Sequence, residues 1–244
     1  TDNSKLDKGY IGHKAAKMMK RSIVAQNRRD KAINDKSKLL KNIETADKLK
    51  LNNQIYKKNK LIEVINLAIY YDNSIIFKNV NFIIENGDRL QLKGKNGCGK
   101  SSIIKLILGY DIKYSGSVNI GNDLKISYIS QDTSHLSGNL SQYSKDNGID
   151  ETLFKTILRK LDFEREQFDK NIEDYSEGQK KKVLIAKSLS ESSDLYIWDE
   201  PLNYIDVISR IQIEELILNY CPTMIFVEHD EAFYKKIATK VITL

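Results

Sequence analysis

The feature that most constrains this chain is a glycine-rich loop between an apolar strand and an apolar helix. Gly94-Lys95-Asn96-Gly97-Cys98-Gly99-Lys100-Ser101 matches the pattern G-x-x-x-x-G-K-[ST] in full, with a predicted strand at 90–93 and a predicted helix at 102–108. The glycines let backbone N–H groups close around a phosphate. The predicted helix begins at Ser102, and its N-terminus adds partial positive charge. The loop therefore predicts a nucleotide site, in which Lys100 bridges the β- and γ-phosphates and Ser101 ligates Mg²⁺.

The remainder of the body has the pattern of an α/β domain. Apolar runs predict strands at 61–68, 80–85, 88–93, 117–120 and 125–129, with turns at Asp72-Asn73 and Asn86-Gly87. A polar, mostly helical stretch follows. Helix and strand then alternate: helix 178–190, strand 194–199, helix 206–219, strand 223–228 and helix 230–238. This alternation indicates a largely parallel sheet.

The first 60 residues differ from the body in charge. They carry 17 Lys/Arg and 6 Asp/Glu, a net of +11, whereas the rest of the chain has a net of −5. Residues 14–51 contain no Gly or Pro and predict one long helix. Such an arm favours a polyanion, either nucleic acid or an anionic membrane surface. Two other interpretations of the arm stay open: a helix that is simply solvated, and a helix that packs on an antiparallel partner helix. Because the chain begins at Thr1 and not Met, we expect a segment upstream.

A second strand predicts the chemistry of the site. Residues 194–199 are apolar and end in Asp199, which Glu200 follows. Asp199 is placed to hold the water shell of Mg²⁺, and Glu200 to polarise the attacking water. Gln131 follows the strand at 125–129, and His229 follows an apolar strand 29 residues after Glu200.

These elements occur in an order that resembles an ABC-type ATPase domain. The resemblance covers residues 60–244 and implies an α/β P-loop fold with a mainly parallel core, an antiparallel β subdomain and a helical subdomain at about 132–175. It implies that Gln131 contacts Mg²⁺ and water, that His229 senses the γ-phosphate, and that ATP with Mg²⁺ is the cofactor pair. A signature sequence at 175–179 and the Asp206 loop would complete the site of a facing domain through Ser176, Gly178, Gln179 and Asp206. The signature departs from the common Leu-Ser-Gly-Gly-Gln, because Tyr175 and Glu177 replace Leu and Gly.

The resemblance also implies an aromatic residue that stacks on adenine, about two dozen positions before the glycine-rich loop. Tyr70 and Tyr71 both qualify, and the turn residues after Tyr71 favour that position. The alternative is that both tyrosines simply pack as strand residues.

The basic arm narrows the resemblance to the ABC-F subfamily. Residues 1–55 are similar to its interdomain linker, with 56–244 as its second ATPase domain; residues 9–21 and 199–206 resemble the antibiotic-resistance branch. The implied function is ATP-driven protection of the ribosome from peptidyl-transferase-centre drugs. The implied partners are rRNA and tRNA, bound by the linker through Lys14, Lys17, Lys20, Arg21, Arg28 and Arg29, and a second ABC domain, either an N-terminal half or a homodimer mate.

Two other functions stay open at this stage. The chain could be the ATP-binding subunit of a membrane transporter, although such subunits rarely carry a basic helical arm in front. A DNA-associated ABC ATPase would need a long coiled coil within the ATPase fold, so it ranks last. No apolar run is long enough to cross a bilayer, and Cys98 and Cys221 cannot build a disulfide framework. We therefore expect a cytoplasmic, ribosome-associated protein with no stable membrane partner.

Overall fold

The computed structural model describes residues 50–51, 53–71 and 74–244, which belong to one compact unit. This part of the chain forms two β-sheets and a set of helices. The helices are α1 (Lys100–Ile107), α2 (Leu140–Asp146), α3 (Glu151–Lys160), α4 (Glu177–Ser190), α5 (Val207–Tyr220) and α6 (Glu231–Ile237). Two short 3₁₀ helices, Arg165–Asp169 and Ile172–Asp174, join α3 to α4.

The smaller sheet is antiparallel and has three strands in the order β2-β1-β4. These are β1 (Lys60–Tyr71), β2 (Ser74–Glu85) and β4 (Tyr114–Ile120). Irregular register around Asn66, which has a positive φ of 49°, bends β1 where it pairs with both neighbours. Its buried side chains pack in one core with those of β3 and α1. The sheet therefore lies against the segment that carries the glycine-rich loop.

The larger sheet is parallel and has five strands in the order β5-β6-β7-β3-β8. Its members are β3 (Arg89–Lys93), β5 (Ile126–Ile129), β6 (Leu195–Asp199), β7 (Met224–Val227) and β8 (Lys240–Thr243). Every residue of β6 and β7 is buried, and their sequences are apolar except for Asp199 at the end of β6. The carboxyl ends of β3, β5, β6 and β7 all reach the same edge of this sheet.

The helices begin at side-chain caps that the sequence supplies. Asn139, Asp150, Asp206 and Asp230 each accept a hydrogen bond from a backbone N–H of the helix that follows. A second core unites α2 to α6 with the face of the parallel sheet opposite to the first core. The helical subdomain predicted for 132–175 corresponds to α2, α3 and the two 3₁₀ helices.

The opposite, amino edge of the parallel sheet is covered by the residues that precede β1. Leu51 is buried in the helical core, and the amide of Gln54 donates to the carbonyl of Ser193 at 2.9 Å. Tyr56 is buried and donates from its hydroxyl to the carbonyl of Asn122 at 2.8 Å. The side chain of Asn86 then makes three hydrogen bonds to the backbone of Tyr56 and Lys58. We call residues 53–59 the strap.

The structure confirms the α/β P-loop fold class and corrects the sequence-based predictions at particular places. The helix predicted at 14–51 lies outside the described residues except for its end, where Lys50 and Leu51 are not helical because Leu51 packs into the core instead. Strand β8 was not predicted, since it is short and only half-buried. The predicted turn Asp72-Asn73 lies outside the described residues, and the turn at Asn86-Gly87 is confirmed.

Candidate functional site

The predicted site residues gather at the carboxyl edge of the parallel sheet. The glycine-rich loop follows β3, Gln131 follows β5 by two residues, Glu200 follows β6, and His229 follows β7 by two residues. In an open α/β sheet, the crevice outside the carboxyl ends of the strands is the usual ligand site. Elements that are far apart in sequence are therefore brought together by strand order alone.

The glycine-rich loop has the backbone that its sequence predicts. Gly97 and Gly99 have φ values of 78° and 100°, and a Cβ on Gly99 would lie 2.7 Å from the ring of Phe77. The Lys100 side chain is buried, and its ammonium donates to the carbonyls of Gly94 and Lys95 at 2.9 and 3.1 Å. The loop thus places a buried ammonium group and the N-terminus of α1 together.

The loop borders a cavity of about 670 Å³. Its walls come from three strand ends, and include Lys95, Lys100, Glu228 and His229. Three lysines, Lys93, Lys95 and Lys100, line this space together with the glutamates Glu228 and Glu231. The lysines beside the loop suit an anionic phosphate chain.

Ser101 and Asp199 provide a pair of oxygen ligands beside the loop. The Ser101 hydroxyl donates to Asp199 Oδ2 at 3.0 Å. Asp199 is buried, and this burial raises the pKa of its carboxyl group above the usual range. A hydroxyl and a carboxylate next to a phosphate site fit Mg²⁺, which would take its other ligands from phosphate oxygens and water. When bound, that ion would neutralise charge on the phosphates.

Glu200 is held by three side chains. Gln131 Nε2 and Asn203 Nδ2 donate to Glu200 Oε2 at 3.0 and 2.8 Å, and His229 Nε2 lies 3.2 Å from Oε1. Glu200 itself has a left-handed φ of 51°, a conformation that costs a non-glycine residue energy and concentrates at functional sites. The carboxylate is therefore fixed in direction by its neighbours. It meets the first requirement of a general base, which is defined geometry.

A second buried carboxylate, Glu228, organises the backbone around Glu200. It accepts from the amide of Leu202 at 2.9 Å and from the amide of His229 at 3.1 Å. Its own carbonyl accepts from Gln91 Nε2 at 3.1 Å. Burial raises the pKa of the Glu228 carboxyl group. This residue joins the turn after β6 to the turn after β7, so the positions of Glu200 and His229 depend on each other.

The signature stretch forms the start of α4. Ser176 caps the helix in a capping box with Gln179, at 2.9 and 3.3 Å. A Cβ on Gly178 would lie 2.5 Å from the carbonyl of Tyr204, so only glycine fits there. Asp206 caps α5 and pairs with Lys182 at 2.7 Å. The structure thus packs the signature against the turn after Glu200, and contacts of Ser176, Gly178, Gln179 and Asp206 with a nucleotide stay predictions.

The two departures from the common signature have structural partners. Tyr175 is buried, donates from its hydroxyl to the carbonyl of Gln167 at 2.7 Å, and meets Phe163 edge to face. Glu177 accepts from the hydroxyl of Thr133 at 2.6 Å, and this hydrogen bond lowers the pKa of its carboxyl group. Tyr175 is therefore a core residue, and the charge of Glu177 is directed toward the segment after β5.

The two candidate adenine-stacking residues point to different neighbours. The Tyr71 hydroxyl accepts from the Ser102 hydroxyl at 3.2 Å, at the start of α1, and its ring is 44% exposed. Tyr70 instead contacts Ser115 on β4 at 3.1 Å. Only Tyr71 borders the glycine-rich loop with an exposed ring. This geometry supports Tyr71, as the sequence favoured, although stacking itself stays a prediction.

With this geometry in view, comparison with known proteins identifies the family. The ABC transporter family matches residues 77–203, just over half of the chain. The chain belongs to this family of ATP-binding domains, which hydrolyse ATP. A relative named ATP-binding protein Uup, from Buchnera aphidicola, is 34% identical over 86% of the chain and 37% of its own length. The ribosome protection protein VmlR of Bacillus subtilis is 31% identical over 72% of the chain and 33% of its own length.

Other ABC proteins match over more of their own length. The ergothioneine transport ATP-binding protein EgtV of Helicobacter pylori is 32% identical over 76% of the chain and 97% of its own length. A solved structure of a metal-chelate type ABC transporter in an inward-facing conformation aligns with a TM-score of 0.61 at 24% identity, over 77% of this chain and 80% of that one. The chain spans about a third of Uup and VmlR. No helix among the described residues has the length and apolar character to cross a bilayer.

Three residues of the site were not predicted from the sequence. Asn203 lies in the turn after Glu200, and Glu228 directly follows an apolar strand as Glu200 does, so a local signal existed for both. The third, Lys181, is 3% exposed and donates to the carbonyls of Ser130 and Gln131 at 2.9 Å each. No local signal marks Lys181, since it lies within the run Lys180-Lys181-Lys182, which looks like a solvated helix face.

Proposed function

We propose that this chain is the second half of an ABC-F protein that uses ATP to associate with the ribosome and protects it from drugs of the peptidyl-transferase centre. The observation that supports the ATP-dependent part is the arrangement around Glu200. Its carboxylate is fixed by Gln131, Asn203 and His229 at 3.2 Å or less, beside the phosphate loop and the Ser101–Asp199 pair.

In this proposal, each residue acts on a bound nucleotide through a defined atom. Lys100 exchanges its contacts with loop carbonyls for contacts with phosphate oxygens. Glu200 orients a water molecule and accepts its proton, and His229 and Gln131 hold Glu200 in direction. Tyr71 offers its ring to the base. The nucleotide with Mg²⁺ supplies the phosphoryl group and the charge neutralisation.

A second ABC domain is the partner that completes the site. Ser176 lies at the exposed N-terminus of α4, and helix N-termini bind anions well. In its own domain the hydroxyl of Ser176 accepts from the amide of Gln179 and caps α4. We infer that it meets the nucleotide of a facing domain, either an N-terminal half or a second copy. The shares of Uup and VmlR that the chain covers are consistent with a missing half.

The ribosomal part of the proposal rests on the sequence of residues 1–60 and on the relative named as a ribosome protection protein. The basic arm would contact rRNA phosphates, so binding would weaken steeply as salt concentration rises. The proposed protection from peptidyl-transferase-centre drugs rests on the same resemblance. A transporter subunit is the second candidate, and the match to EgtV over 97% of that protein's length favours it.

Co-sedimentation of the full-length protein with ribosomes in ATP tests the proposal. Glu200→Gln keeps the shape of the side chain and loses its basicity, so the variant should bind ATP, join ribosomes and remain bound while wild type is released. Asp199→Asn serves as the contrast, because a weakened Mg²⁺ site should reduce nucleotide binding itself. Failure of both wild type and Glu200→Gln to sediment with ribosomes, together with recovery in a membrane fraction, would support the transporter alternative.

A further inference from the structure

Helix α4 holds the segment after β5 at two points. Glu177 and Lys181 are one turn apart on the same face of α4. The Thr133 hydroxyl donates to Glu177 Oε2 at 2.6 Å, and the Lys181 ammonium donates to the carbonyls of Ser130 and Gln131 at 2.9 Å each. We call these two side chains and their contacts with residues 130–133 the clasp.

The clasp is buried at Lys181 and Thr133 and exposed at Glu177. Lys181 and Thr133 are 3% and 5% exposed, and burial lowers the pKa of the lysine ammonium. The negative charges of four carboxylates act in the opposite direction and raise this pKa; they belong to Asp199, Glu200, Glu177 and Glu228. A buried charge that is hydrogen-bonded and paired is specific in geometry, and removal of one partner leaves the others unsatisfied. Lys181 is therefore suited to fixing the position of a backbone segment.

The segment that the clasp fixes carries Gln131. The Gln131 side chain is exposed, and its contact with Glu200 at 3.0 Å depends on where its backbone lies. The same helix begins at Ser176, the residue expected to face a second domain. A single rigid element thus determines the position of the group beside Glu200 and the position of the signature serine.

We propose that Lys181 and Glu177 are positioning residues that couple the start of α4 to Gln131 and thereby set the rate of the hydrolytic step. The inference rests on the proposed roles of Glu200 and Gln131. It extends them to two residues that contact the segment carrying Gln131. The coupling requires the ammonium of Lys181 in particular, because it alone reaches two adjacent carbonyls of the segment.

Steady-state hydrolysis by the full chain, together with its second ABC domain where turnover requires one, tests the proposal. The main variant is Lys181→Met, which keeps an unbranched apolar stem as long as that of lysine up to Cε and removes the ammonium. Lys187→Met is the matched control, since it removes an ammonium from the same helix that is paired with Glu191 at 2.8 Å, away from the site. Lys181→Arg tests rescue. Trp198, the only tryptophan, pairs with Ile129 just before the clasped segment, so its emission reports whether the fold around β5 is kept.

The expected result is a split between kcat and KM. Lys181→Met should lower kcat by about 10- to 100-fold, since small misplacements of a catalytic group have effects of that size, while KM for ATP stays within about threefold. Lys181→Arg should recover part of kcat, and Lys187→Met should match wild type. A wild-type kcat in Lys181→Met, or a loss that Lys187→Met shares, would overturn the proposal.

A second variant covers the case in which Lys181→Met does not fold, seen as a changed Trp198 emission. Thr133→Val removes one hydroxyl and no charge, and should lower kcat by about threefold to tenfold with KM unchanged. An unchanged kcat in a folded Thr133→Val protein would then overturn the coupling. Glu200→Gln distinguishes a failure of the proposed role of Glu200 from a failure of the clasp. If Glu200→Gln turns over as wild type does, the proposed role of Glu200 fails; if it is inactive while the clasp variants are active, only the clasp fails.

Discussion

The two edges of the parallel sheet are built in opposite ways. At the amino edge, polar and charged groups hold the backbone and pair with one another: the amide of Gly87 donates to the Thr223 hydroxyl at 2.9 Å, the amide of Lys125 donates to Asp194 at 2.9 Å, and Lys240 pairs with Asp88 at 2.6 Å. At the carboxyl edge, buried charges gather, the pKa values of Asp199 and Glu228 are raised by burial, and Glu200 has a left-handed backbone. The groups that stabilise the fold and the groups suited to catalysis therefore lie at different ends of the same strands.

The largest effect is expected from Glu200→Gln, which probes the carboxyl edge. Loss of a general base typically lowers hydrolysis by about 10²- to 10⁴-fold, whereas the amide can still accept from Gln131 or Asn203. Phosphate release in a single-turnover assay measures the rate, and ATP affinity should stay near that of wild type. A rate within about twofold of that of wild type would contradict the role of Glu200.

Lys100→Ala is expected to reduce ATP affinity by about tenfold or more, because it removes the ammonium that compensates the β/γ-phosphate charge. Titration with a fluorescent ATP analogue gives the affinity. Lys105→Ala is the control, because Lys105 lies on α1 but is exposed. Equal affinities of Lys100→Ala and wild type would mean that the cavity beside the loop does not hold the phosphates.

Asn86→Ala probes the amino edge. It removes three hydrogen bonds to the strap and leaves the amide of Tyr56 without its partner. The expected loss in the free energy of unfolding is about 1–3 kcal/mol, with no change in ATP affinity. Denaturant unfolding measures the first and nucleotide titration the second. A normal stability would show that the strap is not fixed by Asn86.

The smallest effect is expected at the adenine side of the site. Tyr71→Ala should weaken ATP binding by about 0.5–1.5 kcal/mol, the usual value of an aromatic pair. Tyr70→Ala should leave the affinity unchanged, since Tyr70 contacts Ser115 instead. Comparison of ATP and inorganic triphosphate as ligands isolates the contribution of the base. The reverse order of the two variants would move the stacking role to Tyr70.

The sequence was enough to predict the site residues whose chemistry allows only a few residue types at a given position. The phosphate loop, Glu200 and His229 each follow an apolar strand, and Asp199 ends one. The loop also matches a fixed pattern, so order along the chain was enough to place these groups. It could not predict residues whose importance arises from packing. Lys181 looks like one lysine of a solvated run, and Leu51 like the end of a helix, until the fold buries them. Their roles depend on neighbours more than 50 residues away in the chain.

The most direct test of the separation between the edges is the increase in Tm that ATP produces, measured for wild type, Lys100→Ala and Asn86→Ala. A ligand that binds only the folded state raises Tm by an amount that grows with the logarithm of the ratio of its concentration to its Kd. Asn86→Ala should unfold at a lower temperature than wild type and keep the full ATP-induced increase. Lys100→Ala should lose most of that increase whatever its own Tm. An ATP-induced increase that disappears in Asn86→Ala and persists in Lys100→Ala would contradict the assignment of nucleotide binding to the carboxyl edge.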